Sequence, residues 1–363
     1  MTNTLARYFG LNFLRAVAAV FIGVFVLVAL VDYIELLRHS AKHPNASAWL
    51  VLRTSLFRVP QLTERIMPFA VLIGAMSSFL SLSRRNELVV ARAAGMSAWQ
   101  FVFPAATVAL VLGLLAATIY NPIAASLNER SKQLEAQISG DRAQSSLQFT
   151  PTGFWMRQRS SDGQAIIHAL SSREEGLRLD GVTVFTFDSK GIYQRRIAAR
   201  TATLKDGHWL LEQVRIYSSE DPPTPRPTYE LKTNITSSEV RETFVTPESV
   251  PFWSLPGRIE SAERAGIIAK GYRLQYQKLL ARPILLAGMI FVAAAFSLRF
   301  FRFGGVQKMV VGGIVSGFVL YVFSKTMDDL SIAEVIWPAA AAWFPAAAGV
   351  LIGMIALLYL EDG

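Results

Sequence analysis

The stretch AVAAVFIGVFVLVALV, residues 16–31, contains only apolar side chains and glycine. A helix that crosses a bilayer needs about 20 mostly apolar residues, or about 17 at the short end. The stretch passes directly into Asp32 and Tyr33, without the small-residue site at which a secretory signal peptide would be cleaved. The sequence therefore predicts a membrane span that is retained in the protein.

Five more apolar runs follow, and 52% of the 363 residues are hydrophobic. Some runs are slightly short, but the basic side chains beside them can extend to the headgroups. The sequence predicts six transmembrane helices, three before residue 130 and three after residue 282. The net charge of +9 suits contact with anionic lipid and gives little support to nucleic-acid binding. The further runs are Ile66–Ser83, one within Ala93–Asn128, Pro283–Leu298, Met309–Ser324 and Val335–Leu360.

The middle of the chain has the short alternating stretches that are typical of strands. Val182–Phe187 is one such stretch, and Asp188–Gly191 and Asp206-Gly207 are turn sequences between strands. This pattern predicts an all-β sandwich or open barrel whose apolar interior includes Phe185 and Trp209. A soluble spacer domain is the alternative. The predicted division is 1–138 for the first three transmembrane helices, 139–250 for the β domain, and 251–363 for a connector and the last three helices.

The charges of the short loops predict the orientation, because cytoplasmic loops carry an excess of Lys and Arg. With a cytoplasmic N-terminus, the basic residues of these loops are in slight excess on the inside. The last hairpin supports this orientation, since it places Asp328, Asp329 and Glu334 outside. We therefore expect both termini in the cytoplasm and the β domain outside the membrane.

Several kinds of catalytic chemistry have no residues to carry them. The sequence contains no G-x-x-x-x-G-K-[ST] loop and no G-x-S-x-G motif, so the chain has neither an ATP-binding loop of its own nor a hydrolase elbow. It has no cysteine, and its four histidines lack metal-ligand spacing. The predicted spans hold no acidic residue at mid-span, which disfavours an ion-driven transporter. We predict that the chain is not an enzyme and binds no metal or cofactor.

The segment SRRNELVVARAAGMSAWQ, residues 83–100, lies between two apolar runs in a predicted cytoplasmic loop. We predict a helix near residues 84–94 that Gly95 ends. On one helix, the arginines share a sector suited to lipid phosphates, and a second sector suits a protein partner that offers a basic residue to Glu87. A connector that simply lies on the lipid is the alternative. The first sector holds Arg84, Arg85 and Arg92, and the second holds Glu87, Val90 and Ala94.

Four segments resemble the lipopolysaccharide export permeases, the LptF/LptG family, in order and spacing across nearly the whole chain. The sequence ELVV within the first segment resembles the LptG branch more than the LptF branch. The segments are RRNELVVARAAGMS (84–97), LPGRIESAERAG (255–266), YRLQYQKLLARPILLAGMIFVAAAFSLR (272–299) and GGIVSGFVLYVFSK (312–325).

The resemblance implies a function and a set of partners. Members of this family form a heterodimer with the paralogous permease, here an LptF-like chain, and two copies of an LptB-like ATPase bind below. ATP is used by that ATPase and not by the permease, which carries no cofactor. The complex extracts lipopolysaccharide from the inner membrane and passes it to LptC-like and LptA-like periplasmic jellyroll proteins. The inserted β domain is expected to be jellyroll-like, and residues 84–94 to be the helix that couples to the ATPase.

The resemblance also implies a basic rim that holds the lipid headgroup at the outer ends of the helices. For each candidate, a charge that merely extends to the interface is the alternative. Asp32 departs from the family, in which a lysine can stand in the first helix, and an acid there would repel phosphate unless a cation or an arginine bridges it. The rim candidates are Arg130, Lys132, Arg38, Lys42 and Lys325.

Two other functions agree with the same sequence. The chain could be the permease of another ATP-driven lipid or lipoprotein extractor, which a topology map would distinguish. It could also be a membrane adaptor that transports nothing, in which case the surface between its helices would be fully packed.

Overall fold

The computed structural model describes residues 3–40, 47–139, 154–160, 163–173, 176–188, 192–218, 222–233, 247–264, 269–301 and 306–361. The chain forms two compact units. The helical unit comprises Met1–Leu134, Pro247–Glu260 and Ile268–Gly363, and the β unit comprises Glu135–Thr246 and Ser261–Ile267.

Long helices dominate the helical unit. The helical elements of the chain are α1 (Asn3–Ser40), α2 (Ala48–Arg84), α3 (Glu87–Ala93), α4 (Ala98–Leu115), a π-helical turn (Ala116–Tyr120), α5 (Asn121–Ser139), α6 (Leu255–Arg264), α7 (Lys270–Phe301), α8 (Val306–Ile332) and α9 (Pro338–Glu361), with 3-10 turns at Pro247–Ser249 and Phe252–Ser254.

Six helical stretches in the described part of the chain are long and apolar enough to cross a membrane. This confirms the predicted fold class, six transmembrane helices with an inserted β domain. The helices extend well beyond the apolar runs, since α2 begins about 27 Å before Ile66 at 1.5 Å per residue. The six stretches are Thr4–Ser40, Ala48–Arg84, Ala98–Glu135, Lys270–Leu298, Val310–Ile332 and Pro338–Tyr359.

Small residues let the helices of this unit approach closely, as is common between membrane helices. A Cβ atom added to Gly74 of α2 would lie 2.7 Å from the Cα of Val17 on α1. A Cβ added to Gly113 of α4 would overlap the backbone of Pro283 on α7. A continuous apolar core, which includes Phe13, therefore joins helices that are distant in sequence.

The spans differ in how much of their surface is covered. In the most apolar part of α7, 67% of the residues are buried, whereas the corresponding figures are 6% for α1 and 17% for α8. The apolar faces that α1 and α8 leave exposed include Ile22 and Leu27 on the first and Phe318 and Val319 on the second. The chain therefore has a packed centre with two peripheral helices.

The β unit contains one antiparallel sheet in which each described strand pairs with the next in sequence, in the order β1-β2-β3-β4-β5-β6. The buried side chains of the sheet form one interior, and Trp209 and Ile167 are among the least exposed of them. The strands are β1 (Phe154–Ser160), β2 (Gly163–Arg173), β3 (Arg178–Phe187), β4 (Tyr193–Lys205), β5 (His208–Ser218) and β6 (Thr224–Lys232).

The alternation of buried side chains changes phase along one row of the sheet, which we call the crease. On β3 the even positions Val182 and Val184 are buried on one side of the row, and the odd position Leu179 is buried on the other. Gly181 and Gln213 lie in the row with φ of 63° and 52°. A residue with positive φ changes the face to which the following side chains point, as in a β-bulge. Side chains from both halves of the sheet therefore point to one interior.

The structure confirms one of the two predicted interior positions and contradicts the other. Trp209 is buried as expected, and its indole N–H donates to Gln158 Oε1 at 3.2 Å. Phe185 follows Val184 and so points to the opposite face, where it is only half-buried. The prediction that Phe185 faces the interior is therefore wrong, because neighbours along a strand alternate between faces.

Candidate functional site

Three acidic side chains are buried in the helical unit, and two of them, Glu64 and Asp328, lie in one layer. Glu64 lies about 30 Å from the end of α2, and Asp328 about 33 Å from the start of α8, at 1.5 Å per residue. These two helix ends lie on the same side, because Gly313 near the start of α8 contacts Met76 near the end of α2. The polar layer is thus at the end of the unit opposite α3.

Asp32 on α1 is the third acid, and it is 3% exposed. Its Oδ1 forms an ion pair with Arg58 Nη2 at 2.8 Å, and its Oδ2 accepts a hydrogen bond from Ser55 Oγ at 2.7 Å. This carboxylate is shielded from water, because α2 extends beyond its apolar run and packs beside α1. An arginine therefore does bridge the acid, which removes the repulsion expected toward phosphate.

Glu64 joins three helical segments. Its carboxylate forms an ion pair with Arg282 of α7 and accepts hydrogen bonds from Asn121 Nδ2 at 2.9 and 3.2 Å. Asn121 in turn accepts the backbone N–H of Phe252 at 2.9 Å. The prediction that no acidic residue lies at mid-span is wrong at Glu64, which is near the middle of Ala48–Arg84, whereas Asp328 lies near the end of Val310–Ile332.

The π-helical turn places an aromatic hydroxyl beside this network. Tyr120 donates to the carbonyl oxygen of Pro60 at 2.9 Å, and its hydroxyl lies 2.7 Å from Thr63 Oγ1. Single π turns inside longer helices are frequent at functional positions. Here the turn brings Tyr120 and Asn121, which follow one another in the chain, to the same patch of α2.

A cavity of about 360 Å³ opens in the polar layer between α2, α7, α8 and α9. Its floor is apolar and includes Phe69 and Leu320. Basic and acidic side chains surround the rest, a composition typical of pockets in which a few polar groups fix the orientation of an amphiphilic ligand. The basic lining residues are Arg65, Lys278, Arg282 and Lys325, and the acidic ones are Glu64, Glu248 and Asp328.

The basic lining residues differ in how far acids neutralise them. Lys278 pairs with Asp328 at 2.7 Å, and Lys325 pairs with Asp329 at 3.0 Å, an exposed pair. The side chain of Arg65 is exposed and forms no ion pair with any residue that the structure describes. Arg65 is therefore available to an anion from outside the chain.

The predicted rim residues are distributed unevenly. Lys325 lines the cavity. Arg38 and Arg130 are exposed and are not among its lining residues, and Lys132 places Nζ 3.2 Å from Ser249 Oγ. Lys42 lies outside the described residues.

Arg65, Lys278 and Arg282 were missed by sequence reasoning. Lys278 and Arg282 are one helical turn apart, a spacing that puts both side chains on one face of α7. Arg65 directly precedes the apolar run at 66–83. Both signals were available in the sequence, at the edges of apolar runs.

The loop at the opposite end contains a shorter helix than predicted. Arg84 is the last residue of α2, and α3 begins at Glu87. Asn86 between them has φ of 60°, a left-handed conformation that asparagine adopts more readily than most residues. The helix predicted near residues 84–94 is therefore present, but it begins at Glu87 instead of Arg84. Arg84 and Arg85 do not share a helix with Glu87, so the predicted arginine sector does not form. Glu87 and Val90 of the second sector do lie on α3, with Ala94 at its end.

The C-terminal end of α3 agrees with the prediction. Gly95 has φ of 81°, and the N–H of Met96 reaches back to the carbonyl of Ala91 at 3.1 Å, which is a glycine-ended helix cap. Ala94 precedes it and is exposed. Arg92 places its guanidinium 5.9 Å from the ring centre of Phe101 rather than over a lipid-facing sector.

Two contacts hold α3, and its outer surface is free. Leu88 is buried in the core beside Phe101 and is 4% exposed. Tyr8 of α1 places its hydroxyl 3.1 and 2.9 Å from the two carboxylate oxygens of Glu87. Val90, one turn after Glu87, is 67% exposed. This surface combines an apolar side chain and a carboxylate on a helix that is anchored from behind.

These features define a polytopic membrane protein with a cation-lined cavity at one end of its helices, an anchored short helix at the other, and an inserted β domain. The chain belongs to the family described as "Lipopolysaccharide export system permease LptF/LptG", whose sequence profile matches residues 7–359. It is thus a transporter permease and not a member of an enzyme family.

The chain is similar to curated members of that family. It is 24% identical to the lipopolysaccharide export system permease protein LptG of Escherichia coli strain K12 over 362 residues, which covers 98% of each chain. It is also 24% identical to the protein of the same name from Haemophilus influenzae over 338 residues, 92% of each chain. The similarity extends through both helical parts and the β domain.

Proposed function

We propose that this chain is the LptG-type subunit of an ATP-driven exporter that extracts lipopolysaccharide from the inner membrane. The observation that carries the proposal is the placement of two unlike sites at opposite ends of one helical unit. The cavity at one end suits an anionic amphiphile, and the anchored helix α3 at the other suits a cytoplasmic protein.

The cavity supplies what lipid extraction requires at the headgroup. Hydrogen bonds from charged donors to phosphate contribute about 1.5–3 kcal/mol each. Arg65 and Lys325 are the two exposed cations of the lining and would contact phosphate first. Arg38, Lys42, Arg130 and Lys132 would add further contacts around the outer ends of the helices.

Extraction of the acyl chains requires an energy source. Removing one methylene from an apolar environment costs about 0.8 kcal/mol, so a lipid with several chains cannot be withdrawn by headgroup contacts alone. The sequence has no Walker A loop, so we assign ATP hydrolysis to a separate, LptB-like ATPase dimer. That ATPase would dock on α3 and pair a basic residue with Glu87.

The other partners follow from the family. The exposed apolar faces of α1 and α8 would face an LptF-like permease across the path of the lipid. Both termini would be cytoplasmic and the β domain periplasmic, where it would pass lipopolysaccharide to LptC-like and LptA-like jellyroll proteins.

The test is lipid transfer in a reconstituted system. The chain would be placed in proteoliposomes with the paralogous permease, the ATPase and lipopolysaccharide, and transfer to a soluble jellyroll acceptor would be followed by photo-crosslinking. We expect transfer that requires both ATP and this chain. Transfer of a lipoprotein but not of lipopolysaccharide would reject the substrate, and the absence of any ATP-dependent transfer would reject the exporter.

A further inference from the structure

A second, larger cavity lies between α1 and α4, at the end of the helical unit that carries α3. It is an open groove of about 870 Å³. The α1 side is formed by residues on one face of the helix, and the α4 side by a matching face of the parallel helix. The lining includes Arg7, Leu11 and Leu14 on α1, and Gln100, Phe103, Thr107 and Val108 on α4.

The groove is polar at one end and apolar along its length. Arg7 and Gln100 lie near the starts of their helices, both of which begin at this end. From Arg7 to Leu14 the groove follows α1 for about 10 Å, at 1.5 Å per residue. Leu11 and Leu14 are exposed large apolar side chains along this course. This arrangement fits an amphiphilic ligand whose polar headgroup lies at the helix starts and whose apolar chain extends toward the middle of the helices.

The polar end of the groove carries the positive charge of Arg7. Arg7 is exposed and forms no ion pair with any residue in the described part of the chain. Gln100 is exposed as well and offers amide donors beside it. A guanidinium with five fixed donors binds phosphate well.

We propose that this groove binds an anionic phospholipid, with its phosphate at Arg7 and Gln100 and one acyl chain along Leu11, Leu14 and Phe103. The site is distinct from the headgroup cavity of the proposed export path, which lies between α2, α7, α8 and α9 at the other end of the helical unit. A bound lipid would brace the cytoplasmic half of α1 against α4. A transmembrane helix from another chain would also cover apolar side chains, but it would leave Arg7 without an anion.

The proposal is tested by retention of defined lipids on the purified full chain. The protein would be exchanged into nanodiscs that contain phosphatidylglycerol or phosphatidylcholine, extracted gently, and examined by native mass spectrometry. We expect the wild-type chain to retain phosphatidylglycerol and to release phosphatidylcholine. Arg7→Gln should weaken retention of phosphatidylglycerol roughly tenfold, which corresponds to about 1.4 kcal/mol.

A matched control is available on the same helix. Arg15 is exposed on α1 and does not line the groove, so Arg15→Gln should leave retention unchanged. Thr107 is an exposed lining residue, and Thr107→Trp should fill the groove and block the acyl chain without disturbing the core. A normal melting temperature of each variant would show that the fold is intact.

Three results would overturn the proposal. The first is equal retention of the two phospholipids, which would remove headgroup recognition. The second is wild-type retention by both Arg7→Gln and Thr107→Trp. The third is capture of another membrane chain, or of lipopolysaccharide instead of phosphatidylglycerol, by a photoreactive residue at position 107 in the assembled complex.

Discussion

The hydroxyl of Tyr8 lies 3.1 and 2.9 Å from the two carboxylate oxygens of Glu87 and so links the second turn of α1 to the first residue of α3. The two residues are 79 positions apart in the chain. The span of α1 is the least buried of the six, and this hydrogen bond attaches the start of that helix to α3. A displacement of α3 would therefore be passed to α1 through Glu87.

Replacing Tyr8 by Phe removes this hydrogen bond and keeps the aromatic ring, whose centre lies 5.8 Å from the ring centre of Phe9. We expect Tyr8→Phe to lower the lipopolysaccharide released per ATP hydrolysed about two- to tenfold, the size expected for one hydrogen bond. The ATPase should still copurify in normal amounts, because the outer face of α3 is intact. An unchanged ratio of transport to hydrolysis would show that α1 does not receive motion through Tyr8.

Glu87 itself is expected to be required for the ATPase. Loss of one partner from a buried charge pair costs about 2–5 kcal/mol, so Glu87→Ala should reduce ATPase copurification. Glu87→Lys should reduce it further through repulsion, and exchanging the charges of Glu87 and its basic partner should restore part of the activity. Glu129→Lys, an exposed site on α5, serves as the matched control. If Glu87→Lys binds the ATPase normally, α3 is only a connector.

Glu64 and Arg282 should stabilise the helical unit only as a pair. Removing one member of a buried ion pair costs about 3–5 kcal/mol, whereas replacing both by neutral groups of similar size is often neutral. We therefore expect a large loss of thermal stability for Arg282→Met and for Glu64→Gln, and recovery in the double variant. Melting curves in detergent provide the measurement. Additive losses in the double variant would contradict this account.

The exposed cations of the cavity should determine how much lipopolysaccharide copurifies. We expect Arg65→Gln with Lys325→Gln to lower lipid occupancy more than tenfold, since two charge-assisted bonds are each worth about 1.5 kcal/mol or more. Arg130→Gln with Lys132→Gln should have a smaller effect, because these residues do not line the cavity. Mass spectrometry of copurified lipid compares the two pairs, and a larger loss for the second pair would place the headgroup elsewhere.

The interior of the β unit is expected to lie on the path of the lipid. A photoreactive amino acid at Trp209 should capture lipopolysaccharide when ATP is supplied, whereas one at Phe185, on the opposite face, should not. The adduct is detected by its shift on a gel. Capture at Trp209 that is independent of ATP, or equal capture at both positions, would remove the β unit from the path.

The sequence was sufficient for the spans and the inserted domain, because apolar runs and strand alternation are local signals. Six runs became six membrane-length helices, and Gly95 ends α3 as its position indicated. The buried acids could not be located in this way. Asp32 and Glu64 lie beyond the apolar runs, where only the packing of α1, α2 and α7 decides whether a carboxylate reaches water.

Two further features of the structure, the start of α3 and the residues that line the cavity, also differ from what local sequence patterns indicate. A helix that begins at Arg84 was reasonable from composition, but the left-handed backbone at Asn86 moves the start to Glu87. The cavity joins α2 to α7 and α8, which are more than 200 residues away in the chain, so no spacing rule connects Arg65 to Lys278. Periodicity finds the face of one helix and gives no information on which faces meet.

The crease through Gly181 and Gln213 makes the β unit unusually sensitive to strand length. The buried positions change from odd to even at that row. Deleting one residue there would shift the rest of the strand by one position against its neighbours, so half of its interior side chains would point outward. Substitutions that keep the length would leave the phase unchanged. Natural variation in this domain should therefore accumulate as replacements, with single-residue insertions and deletions confined to the turns between strands.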